Sequence, residues 1–218
     1  MSRMLHKDYV LSVIHEYKFE QKKNIPIRGK NHQVIAYLSS VKKTREHAEI
    51  LTEWRNKHMY SFFTWFHATV DGTLKWIESI MDREDRILFL IQNLEGKPIG
   101  HIGLTNFDFE KNTCEIDSVL RGVEEELPGV MTYALESLID WVFNRLKIDS
   151  VYLRVFEDNH KAISLYKRCG FILWKRVGAR KIVERDFIRW VEVEGGSNIF
   201  LNYEKYIVYF IKERSQIR

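Results

Sequence analysis

A short segment in the second half of the sequence has the composition of an anion-binding loop. Pro128 and Gly129 stand directly before a segment whose apolar residues recur at helical spacing: Met131, Leu135, Leu138 and Val142. A glycine at the start of a helix lets a ligand approach unpaired backbone N–H groups at the positive end of the helix dipole. Phosphate is the ligand that suits this arrangement, and a plain Pro-Gly turn is the competing interpretation.

A second candidate group follows one strand later in the sequence. Residues 151–156 are β-branched and aromatic, which is typical of an interior strand. Asn159 is then a suitable cap for a short helix in which Ala162 and Tyr166 share a face, and Gly170 ends that helix. A tyrosine is a neutral donor of high pKa, so Tyr166 has the chemistry to protonate a leaving group at neutral pH. The alternative is an aromatic core residue.

Two carboxylates precede the Pro-Gly loop on a predicted strand over residues 113–120. The period of two places Glu115, Asp117 and Val119 on one face of that strand. Two carboxylates at this point could accept a proton from a nucleophile. A solvated strand face or a salt-bridged carboxylate explains each of them equally well.

These segments together carry a family resemblance. Glu126-x-x-Gly129-x-Met131 resembles the Q/R-x-x-G-x-G/A pyrophosphate loop of the GNAT acetyltransferase superfamily. Asn159-x-x-Ala162-x-x-x-Tyr166-x-x-x-Gly170-Phe171 resembles the second signature of that superfamily. The resemblance covers residues 33–211 as an arrangement and 115–171 in motif detail.

The first motif departs from the family pattern in its charge. Glu126 and Met131 replace the usual first and last residues, and Glu124, Glu125 and Glu126 form an acidic run beside a site for an anion. We expect this run to weaken phosphate binding unless its side chains point to solvent.

The resemblance implies acetyl-CoA as the cofactor and assigns a role to each motif. N–H groups around Gly129 would hold the pyrophosphate, Asn159 and Ala162 would lie along the pantetheine arm, and Tyr166 would protonate the departing CoA thiolate. The implied cofactor-binding residues are Val119, Leu120, Arg121, Glu126, Gly129, Val130, Met131, Asn159 and Ala162.

The resemblance also implies how the carbonyl carbon is attacked. A backbone N–H near Val119 would polarise the thioester carbonyl, and losing such a donor typically costs about 2.7–4 kcal/mol of transition-state stabilisation. Glu115 or Asp117 would be the general base, acting on an ammonium acceptor directly or through water. The sequence leaves the choice between the two carboxylates open.

Three short segments resemble one branch of this superfamily. Residues 54–56, 59–61 and 76–78, together with the Glu115 strand, are similar to enzymes that acetylate amino groups on nucleotide-linked sugars, such as UDP-4-amino sugars of pseudaminic-acid-type pathways. The implied substrate-binding residues are Arg55, Asn56 and Tyr60. The same helix pattern resembles Rim-type acetyltransferases of ribosomal protein N-termini. A third alternative is a non-catalytic GNAT-like module that binds acyl-CoA.

The elements that must position these residues form an α+β fold. We expect a mixed, mostly antiparallel central sheet flanked by helices on both faces, with an N-terminal extension of unknown role over residues 1–32 and a GNAT domain over 33–218. Thr44 and Asp71 are predicted helix caps. Residues 86–105 are predicted to form a hairpin, residues 172–177, 187–193 and 206–212 to form strands, and Gly195-Gly196 to break the second of these.

An aromatic loop over residues 60–67 follows the first of these helices. It is hydrophobic for a surface connection, so it either walls an acceptor pocket or an interface, or packs against the sheet. His58, His67 and His101 have the chemistry of bases, although a single histidine is more often structural.

Composition narrows the class of protein. The 218 residues are 45% hydrophobic with a net charge of +4, which suits an anionic ligand without indicating nucleic acid. The two cysteines lack metal-ligand spacing, so we expect reduced thiols and no metal site. There is no apolar run of membrane-spanning length and no signal peptide. We therefore expect a cytoplasmic protein without a membrane partner, whose partners are a small-molecule amine acceptor and, in a homodimer, a second copy.

Overall fold

The chain forms five α-helices and ten strands in its described residues, which are 3–20, 23–193 and 203–216 of a computed structural model. The helices are α1 (Arg3–Phe19), α2 (Arg45–Lys57), α3 (Val70–Asp82), α4 (Val130–Trp141) and α5 (His160–Arg168). The strands are β1 (Asn24–Arg28), β2 (Val34–Ser40), β3 (Thr64–Trp65), β4 (Ile87–Asn93), β5 (Pro98–Asp108), β6 (Thr113–Arg121), β7 (Ser150–Phe156), β8 (Ile172–Val183), β9 (Ile188–Glu192) and β10 (Lys205–Glu213). Short 3₁₀ turns cover Met59–Ser61 and Arg214–Gln216, and a π-helical turn covers Val142–Leu146.

The chain divides into two compact units. Unit 1 comprises Met1–Lys43, Trp76–Tyr152 and Lys212–Arg218, and unit 2 comprises Thr44–Lys75 and Leu153–Ile211. The predicted segmentation at residue 32 is a different division and stays a prediction.

Unit 1 contains a run of antiparallel strands. β1 pairs with β2, β2 with β4, β4 with β5 and β5 with β6, while β6 pairs in parallel with the start of β7. Helix α4 packs on β1, β2 and β4, where the Phe89 and Trp141 rings lie 5.9 Å apart at nearly a right angle. Fully burying a phenylalanine of this kind contributes about 1.5–3 kcal/mol.

A buried lysine of α1 connects this helix to the end of α3 within unit 1. The Lys18 Nζ donates hydrogen bonds to the carbonyl oxygens of Ile80 at 2.9 Å, Met81 at 3.4 Å and Arg83, at the end of α3. Cations are stabilising at helix C-termini because the last carbonyls lack helical donors. Burial lowers the pKa of Lys18 to about 8.

Unit 2 contains a second group of antiparallel strands. β10 pairs with β8, β8 with β9, and β9 with the two-residue strand β3. Phe156, Trp190 and Phe210 are nearly fully buried in this unit. The mixed, mostly antiparallel strands with flanking helices confirm the predicted fold class.

Most predicted elements are confirmed, with two corrections. Thr69, not Asp71, caps α3, because the Thr69 Oγ1 accepts a hydrogen bond from the Gly72 N–H at 3.1 Å and Asp71 lies in the first turn. Strand β8 extends to Val183 rather than ending at Val177, because its second half pairs with β9. The predicted break at Gly195-Gly196 lies outside the described residues.

Candidate active site

The Pro-Gly loop has the backbone geometry that an anion-binding helix start requires. Gly129 is exposed and caps α4 with φ +81°, a left-handed conformation that favours glycine. The Val130 N–H donates to the Leu127 oxygen at 3.1 Å, and the Thr132 N–H to the Gly129 oxygen at 3.0 Å. Within the described chain the Met131 N–H has no such acceptor. An N–H group is thus left without a backbone acceptor at the start of α4, and binding of a diphosphate there stays a prediction.

The three glutamates beside this loop do not present three uncompensated negative charges to an anion. Glu124 and Glu125 are exposed. Glu126 forms an ion pair with the Lys97 ammonium and accepts a hydrogen bond from the Asn93 Nδ2 at 3.2 Å. Two of the three carboxylates therefore face solvent and the third is compensated by a cation.

Arg121 holds the shape of the same loop. Its Nε donates to the Val123 oxygen at 3.0 Å, and its Nη2 to the oxygens of Glu126 at 2.8 Å and Glu124. The guanidinium is thus bound to loop carbonyls. A contact of Arg121 with the cofactor stays a prediction.

Strand β6 is bulged immediately after its second carboxylate. His101 of β5 pairs with Leu120 and Gly103 pairs with Asp117, so two residues of β6, Ser118 and Val119, oppose the single residue between them. Ser118 has φ +52°. The predicted alternation therefore ends at Asp117, and Val119 does not continue it.

The parallel pairing of β6 with β7 is short. It joins Thr113, Cys114 and Glu115 to Ser150, Val151 and Tyr152, whereas β6 runs on to Arg121. Beyond Glu115, the residues of β6 are therefore not included in the pairing with β7. The bulge lies in that part of the strand.

The two candidate bases have different partners. Glu115 is 3% exposed, and the Asn106 Nδ2 donates a hydrogen bond to its Oε2 at 2.7 Å. Asp117 forms an ion pair with Arg86 at 2.8 Å, with both side chains about one-fifth exposed (19% and 20%). One carboxylate is thus bound by a neutral amide and the other by a cation.

Tyr166 lies in the apolar interior of unit 2. It is 5% exposed, and its ring centroid lies 6.2 Å from those of Phe171 and Phe210. Burial raises the pKa of Tyr166 above its ordinary value, with a smaller contribution from Cys169. The described residues include no hydrogen-bond partner for its hydroxyl. A neutral phenol of this kind retains its proton at neutral pH.

Asn159 performs the predicted capping role on the helix that carries Tyr166. Its Oδ1 accepts a hydrogen bond from the Ala162 N–H at 3.1 Å. Gly170, with φ +81°, ends the helix after Arg168. The contacts of Asn159 and Ala162 with pantetheine stay predictions.

The predicted substrate-binding residues of α2 contact the aromatic loop. The Arg55 guanidinium lies 3.7 Å from the Phe62 ring centroid and 4.8 Å from that of Phe66, and it donates to the Thr64 oxygen. Burial lowers the pKa of Arg55 to about 10. Its Nη1 is enclosed without a partner among the described residues.

The Asn56 side chain is held by backbone hydrogen bonds, whereas the Tyr60 side chain is exposed. The Asn56 amide accepts from the Ala68 N–H at 2.7 Å and donates to the Ala68 oxygen at 3.0 Å, so both ends hold the backbone. Tyr60 is 68% exposed, and its ring lies 5.0 Å from that of Trp65. Within unit 2 the aromatic loop packs against β9 through Trp65, whose ring centroid lies 5.4 Å from that of Trp190. Substrate contacts of these residues stay predictions.

Several residues that bond to the candidate site could not be predicted from the sequence. Arg86, Lys97 and Asn106 reach their carboxylates across turns or neighbouring strands, at sequence separations of 31, 29 and 9. His101 has the chemistry of a base, but its ring contacts the bulge of β6. Only strand register could have identified these pairs.

The structure also describes the two cysteines, the potential metal ligands and the apolar character of the helices. Cys114 and Cys169 are buried and not joined in a disulfide, and burial raises the pKa of Cys114. The described residues contain no group of three potential metal ligands. Among those residues, no helix combines the length and apolar character needed to cross a bilayer.

Comparison with known sequences gives matches among acetyltransferases. The family model described as an acetyltransferase (GNAT) domain matches residues 40–172. Acetyltransferase PseH of Campylobacter jejuni is 28% identical over 127 residues, which cover 58% of this chain and 77% of that protein. Spermidine N(1)-acetyltransferase of Vibrio cholerae is 25% identical over 84 residues, 38% of this chain and 48% of that protein.

Solved structures share the fold. Spermidine N-acetyltransferase from Vibrio cholerae in complex with CoA and spermine superimposes with a TM-score of 0.64 at 16% identity, covering 83% of this chain and 96% of that one. A probable GNAT acetyltransferase from Chromobacterium violaceum gives 0.64 at 14% identity, covering 89% and 88%. GNAT acetyltransferases use acetyl-CoA, and the first of these structures contains CoA. The chain belongs to the GNAT acetyltransferase family and is an acetyl-CoA-dependent N-acetyltransferase.

Proposed function

We propose that the enzyme acetylates the amino group of a sugar linked to a nucleotide. The observation that carries this proposal is the character of the segment from α2 through the aromatic loop. No acidic residue lies between Glu53 and Asp71, whereas Arg55 and Lys57 are cationic. Aromatic faces suit a base or a sugar, and cations suit a diphosphate.

Exposure along this segment supports the same acceptor class. Tyr60 is 68% exposed, Phe66 is 38% exposed, and Lys57 is exposed at the end of α2. A polyamine acceptor carries several positive charges and would instead need carboxylates here. Spermidine acetyltransferases are nevertheless among the similar proteins, and Rim-type peptide acetylation shares the helix pattern, so both remain acceptors to test.

Tyr166 is the proposed general acid. Bound acetyl-CoA supplies an acetyl group activated as a thioester. The Tyr166 hydroxyl then donates a proton to the sulfur that leaves, which is the task of a neutral donor of high pKa. The raised pKa of Tyr166 and the absence of a hydrogen-bond partner among the described residues support this role.

Glu115 is the preferred general base. Protonating Asp117 would remove the charge that Arg86 compensates, whereas the Asn106 amide also tolerates a protonated partner. Glu115 also lies where the pairing of β6 and β7 ends. Proton transfer through a bridging water is sufficient, because the acceptor ammonium only has to lose one proton before attack.

Substrate profiling tests the proposed acceptor. The purified protein is titrated calorimetrically with acetyl-CoA, and CoA release is then followed with a UDP-4-amino sugar, spermidine and a peptide amine at matched concentrations. We expect the amino-sugar nucleotide to give the highest kcat/KM, and free UDP to inhibit competitively. A higher kcat/KM for spermidine or the peptide, without inhibition by UDP, would overturn the assignment.

We also propose that the enzyme is cytoplasmic and forms a homodimer. Two reduced, buried thiols fit a cytoplasmic enzyme. A homodimer is the proposed assembly, and one of the similar Vibrio cholerae structures is described as dodecameric. Sedimentation velocity of the purified chain distinguishes these states.

A further inference from the structure

His101 contacts the bulge of β6 through its ring. It is 4% exposed on β5, and its Nδ1 lies 2.6 Å from the backbone oxygen of Ser118. A carbonyl oxygen can only accept a hydrogen bond, so the Nδ1 must carry the proton in this contact. The ring is therefore a donor to the bulged backbone.

This hydrogen bond determines the direction of a neighbouring N–H group. The Ser118 oxygen and the Val119 N–H belong to the same peptide group, which is planar and trans. Fixing the carbonyl on one side therefore fixes the N–H on the other side. A hydrogen bond to the carbonyl also strengthens the N–H as a donor, by about 10–30% per bond in condensed-phase estimates.

The bulge needs such support because its backbone is costly. Ser118 is a non-glycine residue at φ +52°, a conformation that costs of order 1–2 kcal/mol and persists only when the surroundings hold it. The extra residue of a bulge is also left outside the ladder of strand hydrogen bonds. The His101 ring supplies a hydrogen bond at that residue.

The residues flanking His101 allow β5 to approach the bulge closely. A Cβ added at Gly100 would lie 2.6 Å from the Leu120 oxygen, and one added at Gly103 would lie 2.5 Å from the Asp117 Oδ1. The first contact is with a backbone oxygen, so a side chain at Gly100 would force the strands apart, and a side chain at Gly103 would displace the Asp117 carboxylate. The Gly-His-Ile-Gly segment thus places two glycines and one hydrogen-bond donor against the bulge.

We propose that His101 is a positioning residue that orients the Val119 N–H toward the oxyanion formed during acetyl transfer. This inference rests on the proposed function and on the role that the family resemblance implies for a backbone N–H near Val119, which is to stabilise the developing charge on the thioester oxygen. His101 itself touches neither acetyl-CoA nor the acceptor in this role. Its contribution is the orientation and donor strength of one backbone amide.

A pair of substitutions separates the hydrogen bond from packing. His101→Leu fills similar space without a donor, and we expect kcat to fall about 10- to 100-fold, less than or equal to the effect of deleting an oxyanion donor. His101→Asn places an amide N–H near the position of Nδ1 and should retain kcat within about threefold of the parent. The KM for acetyl-CoA should change by less than about twofold in both.

Leu104→Val on the same strand is the matched control. Leu104 is fully buried in β5 and pairs with Ile116, before the bulge of β6. This variant should lower the thermal midpoint while leaving kcat unchanged. Equal kcat values for the parent and His101→Leu would overturn the inference, and so would a His101→Asn variant as slow as His101→Leu.

Two spectroscopic readouts do not require turnover. Nitrogen-15 NMR of the free protein should identify the Nδ1–H form of His101 and should show a shift of the Val119 amide resonance in His101→Leu but not in His101→Asn. An Nδ1 without a proton would overturn the inference even if His101→Leu failed to fold. Failure of the proposed function is a separate outcome, in which the parent protein transfers acetyl to no amine while these resonances behave as expected.

Discussion

The proposed acid and the proposed base are held in contrasting ways. Tyr166 in unit 2 is enclosed by the rings of Phe171 and Phe210, and its hydroxyl has no hydrogen-bond partner among the described residues. Glu115 and Asp117 in unit 1 each have a specific partner within 3 Å, Asn106 for one at 2.7 Å and Arg86 for the other at 2.8 Å. The candidate acid is thus surrounded by apolar rings, whereas each candidate base has a hydrogen-bonding partner.

The contrast follows from the charge that each group carries. Burial disfavours the charged form, so an apolar surrounding keeps a phenol protonated and ready to donate. A carboxylate in the same surrounding would be neutralised and could not accept a proton, so it needs hydrogen-bond donors to remain charged. Variants at the acid should therefore act on a single group, whereas variants at the carboxylates should also disturb a partner.

Removing the Tyr166 hydroxyl is expected to give the largest effect. Tyr166→Phe should lower kcat by about 10²- to 10⁴-fold, the range typical of general acid catalysis. Calorimetric binding of acetyl-CoA should be retained, because the ring that packs on Phe171 and Phe210 remains. Tyr37→Phe on β2 of unit 1 is the control for loss of a phenol. Unchanged turnover in Tyr166→Phe would remove this residue from the mechanism.

The pH profile of the parent enzyme sharpens the same prediction. Burial raises the pKa of Tyr166 above its ordinary value of about 10, so the phenol stays protonated throughout the neutral range. The proposed acid should therefore cause no loss of kcat on the alkaline side below about pH 10. An alkaline decline centred near pH 8 that moves with conservative changes at Phe171 would contradict this protonation state.

Neutral amides at the two carboxylates distinguish the proposed base from its neighbour. Glu115→Gln should lower kcat by about 10²-fold, at the lower end for a general base. Asp117→Asn should have a smaller effect on kcat and a larger one on stability, because Arg86 loses its counter-charge. The measurements are kcat and the thermal midpoint for each variant. The reverse ranking of kcat would make Asp117 the base.

The sequence predicted the local parts of this site well. The Asn159 cap, the start of α4 at Gly129 and the end of α5 at Gly170 depend on residues within a few positions of one another. Such features follow from capping and backbone preferences that a linear pattern contains. For the same reason the β4–β5 hairpin and most helices were predicted correctly.

Partners across strands could not be predicted in the same way. The bulge at Ser118 shifts the register of β6 by one residue, and no residue type in that segment demands it, since neither Ser118 nor Val119 is a glycine. The ion pair of Arg86 with Asp117 and the contact of His101 with Ser118 both depend on that register. A single sequence specifies the alternation of a strand but not the position at which the alternation is interrupted.

The Pro-Gly loop and the turn between β4 and β5 each contain a glycine with the same backbone conformation. Gly129 has φ +81° and Gly96, in the turn between β4 and β5, has φ +83°. An alanine at either position costs about 1–2 kcal/mol of stability, because its Cβ opposes the left-handed conformation. Neither added Cβ would be closer than 3.6 Å to another atom. Loss of stability should therefore be similar for the two variants.

The alanine variants of these two glycines should differ in their affinity for acetyl-CoA. Gly129→Ala should raise the calorimetric Kd about tenfold, equivalent to about 1.4 kcal/mol, because the Cβ obstructs close approach of the diphosphate to the backbone. Gly96→Ala should leave the Kd unchanged. Equal affinities in the two variants would show that the loop does not bind the diphosphate.

The compensated charge at Glu126 is expected to give the smallest effect. The hydrogen bond and ion pair with Glu126 raise the pKa of Lys97, and this lysine is exposed. Lys97→Met should therefore raise the Kd for acetyl-CoA by only about two- to threefold at low ionic strength, and the difference should fade in salt. The double variant Lys97→Met with Glu126→Gln should recover the parent Kd, because the uncompensated carboxylate is then absent. Lys30→Met, which removes a cation elsewhere in unit 1, controls for net charge, and an equal loss of affinity in that variant would mean that the overall charge and not Glu126 is responsible.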